Sequence, residues 1–412
     1  MKKLLGVALD IGEQMILCGA EVHRVEDTLT RICTAFGASK VDVFIITTSM
    51  LITIHDKDGF PFTQTRRIQS SGTDFNKLSK LNGLSRKICA TKDLSISDIE
   101  LELNQIVSEK PYNLLIETIF YALIAWSFTI FFGGTIIESI VSLLIGASVR
   151  FIVLLCDSIS LNKIFTKFIS CFFATLVAFC SMWLSVIDSV DTIIIGNIMV
   201  LIPGIGLTVS LRDLFTGDSL SGILRLIEAS LTAIAIALGY ILFVVLSSST
   251  SYVGTATLEY PNIVQVLAGT VGTIGFGIMF NIKNKQLFAV AVGGFIAWAL
   301  YLLFFEFVKD ETVCYFIVSL IIAFYSELMA RVLKCPTTVF ITPSLVPLIP
   351  GASLYNTMTS LFGGNTVIFA EKAVRTLSLA AALAFGVIVA SAIMNLIYKL
   401  IIVNKRRKNN GT

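Results

Sequence analysis

The chain has 412 residues, 55% of them hydrophobic and only 14% charged, where a soluble protein carries roughly 25% charged residues. With a mean hydropathy of +0.84, much of its surface must face lipid. The net charge of +3 leaves no footprint for a nucleic acid, and eight cysteines without a CxxC pair suggest neither a disulfide framework nor a metal site.

The polarity is uneven. Residues 1–110 are mixed in character, whereas almost everything beyond Pro111 is apolar. The opening MKKLLGVALDIGEQMILCG starts basic, but Asp10 and Glu13 interrupt it and no small-residue cleavage site follows. It reads as a cytosolic amphipathic helix with Leu4, Leu5, Ala8, Leu9, Met15 and Ile16 on its apolar face. GAEVHRVEDTLTRICTAFG puts Val22, Val25, Leu29, Ile32 and Phe36 on one helical face, with His23, Arg24, Glu26, Asp27 and Arg31 pointing elsewhere. VDVFIITTSMLITIHD is β-branched and alternating, and DKDGFPF signals a turn before FTQTRRI. Two further helices are expected at about 75–90 and 96–108, completing a small cytosolic α/β domain over residues 1–110. His23, Asp27 and His55 read as a solvated face. No nucleophile motif, phosphate loop or metal-spaced set accompanies them, so the chain is not read as an enzyme and no cofactor is expected.

Beyond Pro111 the chain holds ten candidate spans, at about 113–131, 134–155, 166–187, 192–211, 223–247, 262–281, 286–307, 312–333, 338–358 and 373–403. The fourth and ninth each contain a Pro-Gly break, and the last is longer than a span requires. Lysine and arginine in short loops set the orientation. With residues 1–110 inside, the inner loops carry Arg150, Lys163, Lys167, Arg212, Lys283, Lys285 and Lys334, and the tail NKRRKNNGT adds more. The outer loops IDSVD and SSSTSYVGTATLEYP carry none; Lys309 is an exception, and Lys372 with Arg375 is a candidate for another. Both termini are therefore expected in the cytoplasm.

LIPGIGLTVSLRDLFTG, from Leu201, is echoed by LIPGASLYNTMTSLFGG, from Leu348, at an offset of 147. Pro203 then meets Pro350, Gly204 meets Gly351, Gly217 meets Gly364, Gly239 meets Gly386, and upstream Gly146 meets Gly293. Each copy covers five spans, an odd number, so residues 259–412 should repeat residues 111–258 upside-down, a plan of secondary transporters. Proline removes a backbone donor and glycine leaves helical geometry easily. Bare backbone is tolerated at membrane depth only inside protein or beside a watery cavity. Either the two breaks expose half-helix N-termini suited to a carboxylate, or they only kink packed helices.

Ionisable residues inside spans are functional candidates. Glu117, Glu138, Arg225, Glu228, Glu306, Glu327, Glu371 and Arg375 qualify. The offset places Glu228 opposite Arg375, a pair that could form between the two copies. Asp213, beside Arg212, reads either as an acceptor for a proton or an amine, or as a helix cap. Thr208, Ser210, Ser353, Tyr355, Asn356 and Thr357 follow the breaks and could receive a hydroxyl.

GAEVHRVEDTLTRI, the stretch from IIGNIMVLIPGIGLTVSLRDLFTG to AIALG, and SELMARVLKCPTTVFITPSLVPLIPGASLY together resemble the threonine/serine exporter (ThrE) family over nearly the whole chain. In many bacteria its halves, YjjP and YjjB, are separate proteins; here they are joined. The resemblance implies a ten-span exporter of small hydrophilic metabolites in the bacterial inner membrane, driven by the proton gradient. Threonine and serine are the namesake solutes, and succinate is that of the two-component members. It places Arg24, Glu26 and Asp27 in the N-domain motif, Pro203, Gly204, Asp213, Gly217 and Glu228 in the first membrane motif, and Glu327, Arg331, Pro336, Pro350 and Gly351 in the second.

The resulting expectation is an alternating-access transporter. Its substrate residues would be Pro203, Gly204, Thr208, Asp213, Glu228, Pro350, Gly351, Tyr355, Asn356 and Arg375, with Asp213, Glu228 and Glu327 as proton carriers. Its partners would be the solute, protons and lipid, with a homo-oligomer left open. The rival is a membrane-anchored sensor or enzyme acting through residues 1–110.

Overall fold

The computed structural model describes residues 2–68, 72–91, 94–202, 204–247, 259–362 and 366–409. Pro203, Gly364 and most of the 247–261 loop lie outside them. Seven elements come first: α1 (Lys2–Leu17), α2 (Val22–Ala35), β1 (Lys40–Ile46), β2 (Ser49–His55), β3 (Pro61–Arg67), α3 (Phe75–Ala90) and α4 (Ile96–Ser108). The strands form an antiparallel meander in the order β1-β2-β3. Alternation works as the sequence implies: Met50, Ile52 and Ile54 are buried beneath the helices, while Leu51 points out. The β2–β3 turn is held by the Asp56 carboxylate, which accepts the N–H groups of Asp58 at 3.0 Å and Phe60 at 2.9 Å. Gly59 there takes the positive φ that glycine adopts without strain.

The apolar stripes of α1 and α2 do not close on themselves. Their core runs on into Ile282, Ala289, Val290, Ala330, Val339 and Phe340, far along the chain. Polar contacts follow the same seam. Phe75 N–H donates to the Phe280 carbonyl at 2.9 Å, Asn281 to Asp74 at 2.9 Å and Arg86 to the Lys334 carbonyl at 2.6 Å.

The remaining helices are α5 (Leu114–Phe131), α6 (Ile136–Ser158), α7 (Lys163–Trp183), α8 (Asp191–Ile198), α9 (Gly204–Thr216), α10 (Ser219–Leu246), α11 (Asn262–Met279), α12 (Asn284–Val308), α13 (Glu311–Leu333), α14 (Thr338–Ser344), α15 (Gly351–Phe362) and α16 (Thr366–Asn409). Among the described residues, eight of these are long and apolar enough to cross a membrane, or nine if a pair bent by 44° around α14 and α15 counts as one. This is a polytopic helical protein. The fourth and ninth expected spans are each made of short helices: α8 and α9, then α14, a 3-10 turn at Val346–Leu348, and α15. Proline explains the second interruption, since Pro347 and Pro350 remove two backbone donors in quick succession. The last helix overshoots as expected: 44 residues at about 1.5 Å each are roughly twice the hydrocarbon thickness.

Some intramembrane charges prove structural. Glu138 closes the capping box that starts α6, taking the Thr135 N–H at 2.8 Å, and also accepts from Thr192 of α8 at 3.0 Å. Glu117 of α5 pairs with Arg150 of α6. Alongside, Thr129, Ser142 and Asn197 hydrogen-bond in series at 2.7 and 2.9 Å, fixing α8 against α5 and α6.

Two positions 147 residues apart do the same packing work. A Cβ on Gly239 of α10 would lie 2.5 Å from the Phe168 carbonyl of α7, and one on Gly386 of α16 would lie 2.6 Å from the Phe316 carbonyl of α13. Glycine here lets one helix backbone rest on another. Gly386→Val should therefore cost about 1–3 kcal/mol through forced separation, read as a lower melting temperature in detergent. Gly83→Ala, in α3 with open space around it, should gain about 0.5–1 kcal/mol from helix propensity.

Candidate functional site

The site begins with a reversal of the chain. Gly217 ends α9 at φ 101°, a left-handed conformation suited to glycine. The Asp218 N–H then donates to the Asp213 carbonyl at 3.0 Å, and α10 folds back along α9. Gly222 permits the close approach, since a Cβ there would sit 2.7 Å from Leu214 Cγ. This brings Arg225 of α10 to Asp213 of α9, Nε to Oδ2 at 3.4 Å. Asp213 is 4% exposed, and that Oδ2 accepts no hydrogen bond among the described residues.

Arg212 continues the chain of charges. Its Nη2 lies 3.8 Å from Asp213, and its Nη1 donates to Glu21 at 3.0 Å. Glu21 precedes α2 and also faces Arg24 at 3.5 Å and His23 at 3.7 Å. Arg24 donates to the Thr337 hydroxyl at 3.3 Å, and Thr337 donates to Glu327 of α13 at 3.0 Å. Glu327, Thr337, Arg24, Glu21, Arg212, Asp213 and Arg225 thus form one relay from α13 through the N-terminal elements to α10. Burial alone would raise the Glu21 carboxyl. The guanidinium of Arg212, then Arg24 and His23, outweigh burial and hold it down at about 2.

A cavity of 320 Å³ lies beside this relay, lined by Glu21 and Thr47 of the N-terminal region, Val209 and Arg212 of α9, Arg225, Glu228 and Thr232 of α10, and Thr338 and Thr342 of α14. It is at the small end of ligand-site volumes. Glu228 makes no ion pair among the described residues, and neither Thr338 nor Thr342 uses its hydroxyl there. These two threonines are one helical turn apart and so share a face. Beneath them a gap of 40 Å³ separates Thr208, Val209 and Arg212 from Ile341, Thr342 and Leu345. The interrupted elements therefore meet. Gly351 itself abuts the other break, because a Cβ on it would lie 2.4 Å from Met199 sulfur and 3.5 Å from Ile202.

The expected site residues divide. Glu228 lines the cavity, Asp213 sits just behind it, and Thr208 lines the adjoining gap. Glu327 is at the far end of the relay. Gly204 starts α9 and Gly351 starts α15, while Pro350 accepts from the Leu354 N–H at 2.9 Å; neither Pro350 nor Gly351 lines the cavity. Tyr355 is buried against Tyr240, ring centroids 5.6 Å apart, and Asn356 is exposed. Arg375 does not reach Glu228. Both its Nη2 and its Nε are held by Glu311, the former at 2.6 Å. Pro203 lies outside the described residues.

Sequence reading missed Glu21, the hinge of the relay, and Thr337, Thr338 and Thr342. Arg212 was legible only as a loop charge. The signal for Glu21 was its place ahead of His23 and Arg24 at the start of a helix, where Ser, Thr, Asp or Asn is the usual cap. Because the carboxyl of Glu21 is depressed on folding from an ordinary 4.5 to about 2, its stabilising effect is complete above the unfolded value and is lost as pH falls through that window. Melting in detergent should drop between pH 5 and 3 more steeply for the wild type than for Glu21→Gln. At pH 7 that substitution should cost about 1–3 kcal/mol, the loss of one charge-assisted contact to a half-buried guanidinium.

Comparison with known proteins bears on both parts of the chain. A family model described as "Putative threonine/serine exporter" (ThrE) matches residues 6–247, and a second, "Threonine/Serine exporter, ThrE", matches residues 265–393. A Corynebacterium glutamicum protein named "Threonine/serine exporter" is 22% identical over 93% of this chain and 81% of its own length. A Mycobacterium tuberculosis protein named "Probable threonine/serine exporter" is 21% identical over 95% of this chain and 77% of its own. No solved structure matches. Spanned by both models, from the first helix to the middle of α16, the chain belongs to the threonine/serine exporter (ThrE) family.

Proposed function

We propose that this protein exports threonine and serine across a bacterial cytoplasmic membrane, and that the 320 Å³ cavity is where the amino acid sits. The observation that carries this reading is the cavity's composition: the Arg225 guanidinium and the Glu228 carboxylate on α10, the latter without an ion pair among the described residues, and the unused hydroxyls of Thr338 and Thr342 on α14. Arg225 takes the substrate carboxylate, whose planar geometry a guanidinium matches. Glu228 takes the ammonium group. Thr338 and Thr342 take the side-chain hydroxyl from the opposite wall, so the solute bridges α10 and α14. A site built to hydrogen-bond a hydroxyl discriminates strongly against analogues lacking it.

The protein works by alternating access between two inverted five-helix units, residues 111–258 and 259–412, with α8–α9 and α14–α15 as equivalent elements. Residues 1–110 form a cytoplasmic α/β domain, and both termini are cytoplasmic. Asp213 or Glu228 accepts the coupling proton, so that export follows the proton gradient. Arg212 and Arg225 together favour one second reading, a dicarboxylate such as succinate, for which two cations replace the cation–anion pair.

Efflux of labelled threonine, serine and succinate from proteoliposomes, with and without an imposed pH gradient, decides between them. Threonine and serine should leave fastest. Glu228→Gln should slow threonine efflux about tenfold or more, the worth of one buried charge-assisted hydrogen bond, and should leave succinate untouched if succinate is carried at all. Asp213→Asn should remove the stimulation by the pH gradient. Identical efflux from all three proteins would end the assignment.

A further inference from the structure

A second cavity, of 350 Å³, lies on the other side of Glu21. Its walls are α2, α3 and the stretch before α14, and it shares Glu21 and Thr338 with the inner cavity. Both signs of charge are again present, in Arg24, Asp27 and Arg31, together with Thr28 and Asn82. The Glu21 ion cluster is thus a partition between two chambers of nearly equal size.

Building on the inner cavity as the transport site, we propose that the outer cavity is a second binding site for the same class of ligand, a small α-amino acid. Arg24 takes the carboxylate and Asp27 the ammonium group. The spacing fits. Residues three apart on a helix lie on one face with Cβ atoms about 5–6 Å apart, and the two charges of an α-amino acid are separated by a single carbon.

Arg24 is available for this role. Its contacts to Glu21 and Thr337 are long, 3.5 and 3.3 Å, against roughly 2.7–2.9 Å for a full charge-assisted bond. Arg66, by contrast, holds its partners at full charge-assisted distances, 2.6 Å to Asp10 and 3.0 Å to Glu13. An arriving carboxylate would draw Arg24 away from Glu21 and Thr337. Those two contacts tie the partition to α2 and α13, so filling the outer chamber loosens the wall of the inner one. The outer site is then an antechamber whose occupant weakens the barrier ahead of it. Among the described residues Asp27 is engaged only by Arg31, across an exposed pair in which Arg31 is 70% and Asp27 58% accessible, which contributes little and is readily exchanged.

Equilibrium binding of labelled L-threonine to the full-length protein in detergent tests this. The wild type should bind two equivalents. Asp27→Asn and Asn82→Phe should each bind one, and Glu228→Gln should retain the one that Asp27→Asn loses. In proteoliposomes, Asp27→Asn should raise the KM for efflux about tenfold, one charge-assisted hydrogen bond, and Asp27→Glu should restore it. A single equivalent in the wild type, abolished by Glu228→Gln and untouched by Asp27→Asn, would overturn the outer site while leaving the transport cavity in place. No binding by the wild type would overturn both. A melting temperature for each variant separates lost binding from lost fold.

Discussion

The arrangement around the cavity depends on how Glu21 is neutralised. A carboxylate at 8% exposure is tolerable only if the attraction of neighbouring cations exceeds the loss of hydration. Two guanidinium groups, of Arg212 and Arg24, and the ring of His23 surround it, and the shortest contact comes from Arg212, about 190 residues later in sequence. Arg212 in turn stands beside Asp213, which needs Arg225. Removing any member leaves an uncompensated charge in a poorly solvated place, so the members specify one another's positions. That mutual dependence holds α9, α10 and α2 in register, and Thr337 extends it to α13.

Much of this architecture is legible in the sequence. The stripes of α1 and α2, the two helices α3 and α4, and the strand-and-turn pattern between them follow from periodicity and from Asp-Gly turn chemistry. The LIPG duplication marked two interrupted elements, and Gly351 against Met199 shows that they touch. Other features were out of reach. Repetition in sequence establishes equivalence, not proximity, and so it paired Glu228 with Arg375, whereas Arg375 finds Glu311. Glu138 is a different case: the Thr135-x-x-Glu138 spacing of a capping box stood in the sequence, and hydropathy alone made the residue look like a buried functional acid. The cavity itself is made by residues from seven separate stretches of the chain, each unremarkable alone; Thr338 and Thr342 carry no signal beyond their polarity.

Glycine and proline divide the labour between rigidity and interruption. Gly239 and Gly386 bring long helices into backbone contact, and such contact resists distortion because no side chain can yield. Pro347 and Pro350 end helices where the two broken elements touch. Firm helix pairs thus flank a central zone of short helices, whose Val339, Phe340, Val346 and Leu348 are fully buried.

The shared apolar core has a last consequence. The N-terminal elements are fastened to α11–α14 by buried side chains and several hydrogen bonds. Among the described residues, their hydrogen bonds and ion pairs to α5–α10 reduce to Glu21 with Arg212. They are a passenger on one side of the molecule and a latch on the other. Cutting them away would strip Val339 and Phe340 of their cover, so amputation reports on solubility before it reports on the job those residues perform.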